Sequence, residues 1–143
     1  MLTPSSIENH WRALVSDGGR RRVLVVDDAS LVRLYYREAL EGAGFVVDEA
    51  LNGLEALEKL LVTTADLLIV DVNMPQMDGL TFLRTLRRQP DPIAAIPALV
   101  ISTEAAPADV AAAEAAGANY YLVKPLSREI LAEHAVLLSG AAA

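Results

Sequence analysis

The sequence predicts a doubly wound α/β fold with a parallel sheet, and three observations carry that expectation. From residue 22 onward, short β-branched runs alternate with helix-length amphipathic stretches. The runs are apolar at consecutive positions, as strands buried on both faces are. Five of them occur at a spacing that leaves room for a crossover helix between neighbours.

In chain order, "RVLVVDD" (22–28) reads as the first strand and "SLVRLYYREALEGAG" (30–44) as a helix closed by Gly42 or Gly44. "FVVDEA" (45–50) is the second strand and "GLEALEKLLV" (53–62) the second helix. "DLLIVD" (66–71) and "LTFLRTLRRQ" (80–89) form the third pair. Pro90, Pro92 and Pro97 punctuate the approach to the fourth strand, "ALVIS" (98–102). The helix "ADVAAAEAAG" (108–117), the strand "YYLVK" (120–124) and the helix "REILAEHAVLLS" (128–139) complete the series.

The N-terminus stands outside this rhythm. In "SSIENHWRALVSDGG", Ile7, Trp11, Leu14 and Val15 recur at helical spacing, Ser5 and Glu8 are in capping-box register, and Gly18-Gly19 form a stop. A short amphipathic helix is expected there, packed on its own domain or engaged in a dimer or partner contact through Trp11. The chain thus divides into an N-terminal helical extension, residues 1–20, and one α/β domain, residues 21–143.

The 143 residues, 53% of them hydrophobic, suffice for one domain with a sizeable core. No apolar run reaches the roughly 18 residues of a spanning helix, and the first residues lack the apolar core of a signal peptide. The absence of cysteine removes disulfides and thiolate ligands, and it fits a reducing cytoplasmic location. A formal charge of −7 disfavours a direct nucleic-acid face. The one dense basic run, "RRR" at 20–22, reads as a solvated flank of the first strand.

In open parallel sheets, function collects beyond the carboxyl ends of the strands. Here those ends carry Asp27 and Asp28, Asp71, Ser102 and Lys124. If strands one and three are neighbours, three carboxylates converge, and one pair near 4 Å repels by about 4 kcal/mol at an effective dielectric of 20. Either a proton is retained or a hard cation is bound, and carboxylate oxygens with a backbone carbonyl suit Mg²⁺. A nucleophilic carboxylate, a divalent cation, a lysine and a hydroxyl are the parts of a phosphoryl-transfer site. Capping of the following helix by Asp27 and Asp28 is the simpler alternative, though two acids exceed what a cap needs.

"VVDD", "DVNMPQMDG", "VIS" and "LVKP", each closing its expected strand, resemble the receiver domain of bacterial two-component response regulators, above all the stand-alone CheY-like receivers. The resemblance spans about residues 22–139 and implies a flavodoxin-like strand order, 2-1-3-4-5. It makes Asp71 the phosphoacceptor, with a sensor histidine kinase or histidine phosphotransfer protein as donor. It implies Mg²⁺ (or Mn²⁺) held by Asp28, Asp71 and the backbone carbonyl of Asn73, with Asp27 acting through water. Lys124 would pair with Asp71 and then with the phosphoryl oxygens, its bond to Pro125 being cis. Ser102 takes the position of the switch hydroxyl, with Thr103 as the register alternative, and Tyr121 that of the switch aromatic. Asn73 and Glu104 occupy the two positions that tune dephosphorylation, which implies a short-lived phosphoaspartate.

The remaining chemistry-bearing residues have ordinary readings. Met74 and Met77 fill gaps around the loop after Asp71. Tyr35, Tyr36 and Tyr120 are packing or partner-face residues, and His10 and His134 lack partners at ligand spacing.

The function expected is a binding switch without an enzymatic turnover of its own, acting on a downstream protein target. A Mg²⁺-dependent phosphatase with an aspartate nucleophile is the enzymatic rival; it usually needs a second aspartate where this chain has Asn73. A cofactor binder would need a phosphate-cradling loop where "DDASLVR" offers acids. A phosphate sink and a dimerising adaptor are further readings. With no effector domain expected after residue 139, output passes to a flagellar motor component, a phosphorelay protein, a kinase, or a homodimer built on the last helix and strand.

Overall fold

The computed structural model describes residues 19–140, so the expected N-terminal helix lies outside the described residues. Five strands, β1 (Arg22–Val26), β2 (Val46–Ala50), β3 (Leu67–Asp71), β4 (Ala98–Ser102) and β5 (Tyr120–Val123), form one parallel sheet in the order 2-1-3-4-5. Five helices alternate with them: α1 (Ser30–Gly42), α2 (Gly53–Val62), α3 (Gly79–Leu86), α4 (Pro107–Ala116) and α5 (Arg128–Ser139). This is the doubly wound arrangement expected from the alternating pattern, in the CheY-like strand order that the resemblance implies.

The period of two along each central strand divides the core between the faces of the sheet. Leu24 and Val26, Leu68 and Val70, and Ala98 and Val100 pack with Ala56, Leu60, Phe82, Leu83 and Ala113 from α2, α3 and α4. Val23 and Val25, Leu67 and Ile69, and Leu99 and Ile101 pack with Tyr36, Leu40, Leu131 and Ala135 from α1 and α5. Apolar residues at consecutive positions therefore mean two covered faces, as the sequence pattern required. Across the second face Arg128 ties α5 to α1, with its guanidinium 5.1 Å from the Tyr35 ring and 3.0 Å from Glu38.

The boundaries differ from the periodicity where tertiary bonds decide them. α1 stops at Gly42 because Gly44, at φ +95°, closes a Schellman cap: its N–H donates to Glu41 O and that of Phe45 to Leu40 O. Gly44 is thus the closing glycine, and Phe45 belongs to the cap and not to the strand. α3 ends three residues before its expected limit. The guanidinium of Arg87 turns back to donate to Gly117 O, Ala94 O, Ile96 O and Asn119 Oδ1. The chain then forms a 3₁₀ turn at Ile93–Ala95. Among the described residues no helix is long and apolar enough to cross a membrane.

Candidate functional site

The parallel register aligns the strand ends. Val26 pairs with Val70, Asp71 with Ile101, and Ser102 with Val123. β1 and β5 end one residue before the polar groups, yet the ladder continues: Asp27 N–H donates to Ala50 O (3.1 Å) and Lys124 N–H to Ser102 O (2.8 Å). The side chains of Asp27, Asp71, Ser102 and Lys124 are thereby held on the rigid rim of the sheet, with Asp28 at the start of the loop beyond it.

Asp27, Asp28 and Asp71 offer carboxylate oxygens that all lie within 4.8 Å of one another. Asp27 is buried, Asp71 half-buried and Asp28 exposed, so the cluster opens to solvent on one side. Lys124 Nζ enters from β5, 3.4 Å from Asp71 Oδ1 and 3.8 Å from Asp27 Oδ2. One ammonium thus faces two of three carboxylates, and negative charge remains in excess. Burial raises the Asp71 carboxyl above its usual range, and the Asp27 charge adds to the rise while Lys124 opposes it. Burial raises Asp27 as well, against the Ala29 N–H bond and the Lys124 charge.

The donor set fits a hard divalent cation. Asp27 Oδ1 accepts from Ala29 N–H (2.9 Å), whereas Oδ2 is buried without a hydrogen-bond partner. An orphaned carboxylate oxygen beside two others is costly unless a cation uses it. Neither acid caps α1, whose N-cap is Ala29 without a side-chain bond, which sets the capping alternative aside.

The loop after Asp71 is shaped by its glycine and its cap. A Cβ on Gly79 would collide with the Asp71 carbonyl and meet the Cα of Val72 at 3.0 Å, so only glycine lets α3 start this close to the acid. Gly79 N–H donates to Val72 O (2.9 Å), and Asp78 caps α3 through Thr81 N–H (2.9 Å). Asn73 lies exposed within this loop, two residues past Asp71. Met74 is buried and Met77 packs against the α2–α4 core, as gap fillers do.

Ser102 is buried and Thr103 exposed. Ser102 Oγ accepts from Glu104 N–H (3.1 Å), and Glu104 O accepts from the Tyr121 hydroxyl (2.7 Å). Ser102, Glu104 and Tyr121 therefore form one hydrogen-bonded path leading away from the acids. Tyr121 packs partly buried against the α2–α4 core. The Lys124–Pro125 bond is cis, as is Asp91–Pro92. His134 Nδ1 lies 2.7 Å from Ile130 O, and its ring stands 5.0 Å from that of Tyr120; His10 and Trp11 fall outside the described residues.

Two contributors escaped the sequence reading. Arg33 donates from Nη1 to Asp27 O (2.7 Å) and from Nε to Glu49 (2.9 Å), bracing the turn that carries both acids. Its position one turn into α1 is the only signal it leaves. Gly79 was legible only as the end of "MDG".

Comparisons with known proteins give the family of the chain. A sequence profile described as the response regulator receiver domain matches residues 23–136. Chemotaxis protein CheY1 of Helicobacter pylori is 38% identical over 121 residues, 83% of this chain and 97% of that protein. The gliding motility regulatory protein of Myxococcus xanthus is 40% identical over 115 residues, 80% of this chain, but the chain spans only 15% of that protein's length. Among solved structures, chemotaxis protein CheY4 of Vibrio cholerae superimposes with a TM-score of 0.78 at 35% identity, covering 83% of this chain and 98% of that one. With the matching profile over most of its length and the strand ends arranged as described, the chain belongs to the response regulator receiver domain family.

Proposed function

We propose that the chain is a phosphoryl-accepting switch in which Asp71 takes the phosphoryl group from a phosphohistidine of a kinase or phosphotransfer protein. The observation that carries this reading is the half-buried Asp71 carboxylate, set between two further aspartates and the Lys124 ammonium at 3.4 Å. An Asp71 oxygen attacks phosphorus, the P–N bond to the donor imidazole breaks, and its electron pair returns to the ring nitrogen. Lys124 offsets charge on the phosphoryl oxygens, and the rigid strand ends keep the acceptor oriented. Asp27, Asp28 and Asp71, with the Asn73 carbonyl, would hold Mg²⁺ (or Mn²⁺), which supplies positive charge to the transferring phosphoryl group.

The partner reading rests on the surface beside the acids. A groove of about 400 Å³ between Leu31 and Tyr35 on α1 and Lys124, Pro125 and Leu126 after β5 shares its lysine with the site. A phosphodonor must cover this side to bring its histidine to Asp71. Output follows the path from Ser102 through Glu104 to Tyr121. A phosphoryl oxygen that recruits the buried Ser102 hydroxyl pulls on Glu104, and Tyr121 responds because its hydroxyl is bonded there. A cytoplasmic location and a downstream protein target belong to the same reading. Family members generally signal through binding and not through catalytic turnover.

The test is acetyl phosphate with Mg²⁺, read by intact mass. An acid-stable, base-labile phosphoryl adduct on the wild type and none on Asp71→Asn is expected. An adduct that survives Asp71→Asn, or repeated turnover of a small phosphate ester, overturns the proposal.

A further inference from the structure

The polar groups at the rim of the sheet share one of its faces with a buried tyrosine. Side chains two apart on a strand point the same way. Val23 and Val25 lead to Asp27, Leu67 and Ile69 to Asp71, and Leu122 to Lys124, and these apolar residues pack in the core beneath α1 and α5. Ser102 is in step with Ala98 and Val100 and belongs to the opposite face. Asp27, Asp71 and Lys124 therefore stand over the core layer that holds Tyr36.

Tyr36 lies in the second turn of α1, a helix that starts two residues after Asp28. Long helical side chains lean toward the N-terminus of their helix, which here is the end occupied by the acids. Tyr36 is only 4% exposed, and it lines the groove shared with Lys124 and Pro125. Its neighbour Tyr35, 6.0 Å away ring to ring, donates its hydroxyl to Leu126 O (3.3 Å). Among the described residues no hydrogen bond takes up the Tyr36 hydroxyl. Burial raises this phenol above its ordinary value, and the charges of Asp27 and then Asp71 add to the rise, so it stays un-ionised and able to donate at neutral pH. Asp27 in turn carries a buried acceptor without a donor, Oδ2, which faces Lys124 Nζ at 3.8 Å. A free donor and a free acceptor on one face are each costly to leave unpaired, and packing alone would be served by phenylalanine.

We propose that Tyr36 is a positioning residue of the acceptor site, whose hydroxyl donates to Asp27 Oδ2 when Lys124 turns from the aspartates to the phosphoryl oxygens. The proposal rests on the reading of Asp71 as phosphoacceptor. Lys124 already stands beyond hydrogen-bond reach of Oδ2, and its turn toward a phosphoryl group on Asp71 leaves that oxygen without a cation. The phenol on the same face is the donor at hand. A bond made only as Lys124 moves favours transfer over the resting state.

Tyr36→Phe removes the hydroxyl and keeps the ring, and a Tm no lower than that of the wild type is expected. With acetyl phosphate and Mg²⁺, read by intact mass, the limiting rate of adduct formation falls roughly tenfold, the size of one hydrogen bond to a charged group, at an unchanged half-saturating concentration. Tyr120→Phe, at an exposed site beside His134, changes neither. The direct readout is the Cζ carbon resonance of Tyr36, which shifts when beryllofluoride and Mg²⁺ are added to the wild type. It is assigned from Tyr36→Phe, or by elimination from phenylalanine variants of the other three tyrosines should that variant fail to fold. A rate unchanged by Tyr36→Phe, or a Tyr36 resonance that stays put while beryllofluoride binds, overturns the proposal and leaves the reading of Asp71 intact. A slower rate accompanied by a lower Tm and a raised half-saturating concentration assigns Tyr36 to packing and overturns it too. No adduct on the wild type overturns the reading of Asp71, and this proposal with it.

Discussion

Replacing Asp27 with asparagine is expected to stabilise the metal-free protein. Asp27 lies within 4.8 Å of two carboxylates, each repelling it by about 3.5 kcal/mol at an effective dielectric of 20. Lys124, 3.8 Å away, returns about 4.4 kcal/mol at the same dielectric. The balance is a net repulsion of roughly 2–3 kcal/mol, and burial of the orphaned Oδ2 acts in the same direction. Asparagine keeps an oxygen for the Ala29 N–H and removes one of the three clustered negative charges. With relaxation and salt, a gain of about 1–3 kcal/mol remains, or roughly 4 °C in Tm per kcal/mol for a domain of this size.

The assay is thermal unfolding at pH 7 in EDTA and in excess Mg²⁺. Asp27→Asn melts higher than wild type in EDTA and gains less from Mg²⁺, because fewer anionic oxygens remain to bind it. The pH dependence has a defined sign. The folded-state values of Asp27 and Asp71 are raised, so between the unfolded value of about 3.9 and those raised values the folded protein holds more protons. Metal-free stability therefore falls as pH rises through that interval, and the slope is shallower in the variant. A variant that melts lower in EDTA, or a wild type whose stability climbs through the interval, refutes the electrostatic argument.

Three further outcomes follow from the contacts. Arg87→Ala strands Gly117 O, Ala94 O and Ile96 O and leaves Asn119 Oδ1 with the Ala98 N–H alone, and it should cost roughly 2–4 kcal/mol in urea unfolding. Arg87→Lys rescues little of this, since an ammonium cannot reach four acceptors as a guanidinium fork does. Gly79→Ala forces the loop after Asp71 away from the start of α3, and it should weaken Mg²⁺ binding, read by titration calorimetry, as well as lower Tm. Ser102→Ala should uncouple acetyl phosphate treatment from any change at Tyr121, read by tyrosine NMR shifts, whereas Thr103→Ala, at an exposed position, should not.

The strands were legible because burial on two faces leaves an unbroken apolar run, which no surface element of this size tolerates. The acids were legible because each follows such a run, where no core residue belongs. Helix ends were less legible, since a side chain from elsewhere decides them: Arg87 stops α3 by reaching four oxygens on other segments, a choice local propensity does not encode. The same holds for Arg33, whose grip on Asp27 O exists only once α1 has packed. Asp27 and Asp28 are equal as letters, yet one is buried and the other exposed, because only Asp27 remains on the sheet ladder.

This division of labour explains how the domain supports a site that destabilises it. The unfavourable charge is confined to one end of the sheet, while β1, β3 and β4 bury apolar side chains on both faces immediately beneath it. Arg33 and the N-cap at Asp78 hold the loops while offsetting the acids only weakly, because Arg33 engages the Asp27 carbonyl and Glu49 and makes no hydrogen bond to the Oδ2 oxygen. Any ligand that supplies positive charge there recovers the repulsion built in by folding, so its binding energy is greatest in the folded state. A more stable metal-free domain is therefore a poorer cation binder, and the two quantities should move in opposite directions across substitutions of Asp27, Asp28 and Asp71.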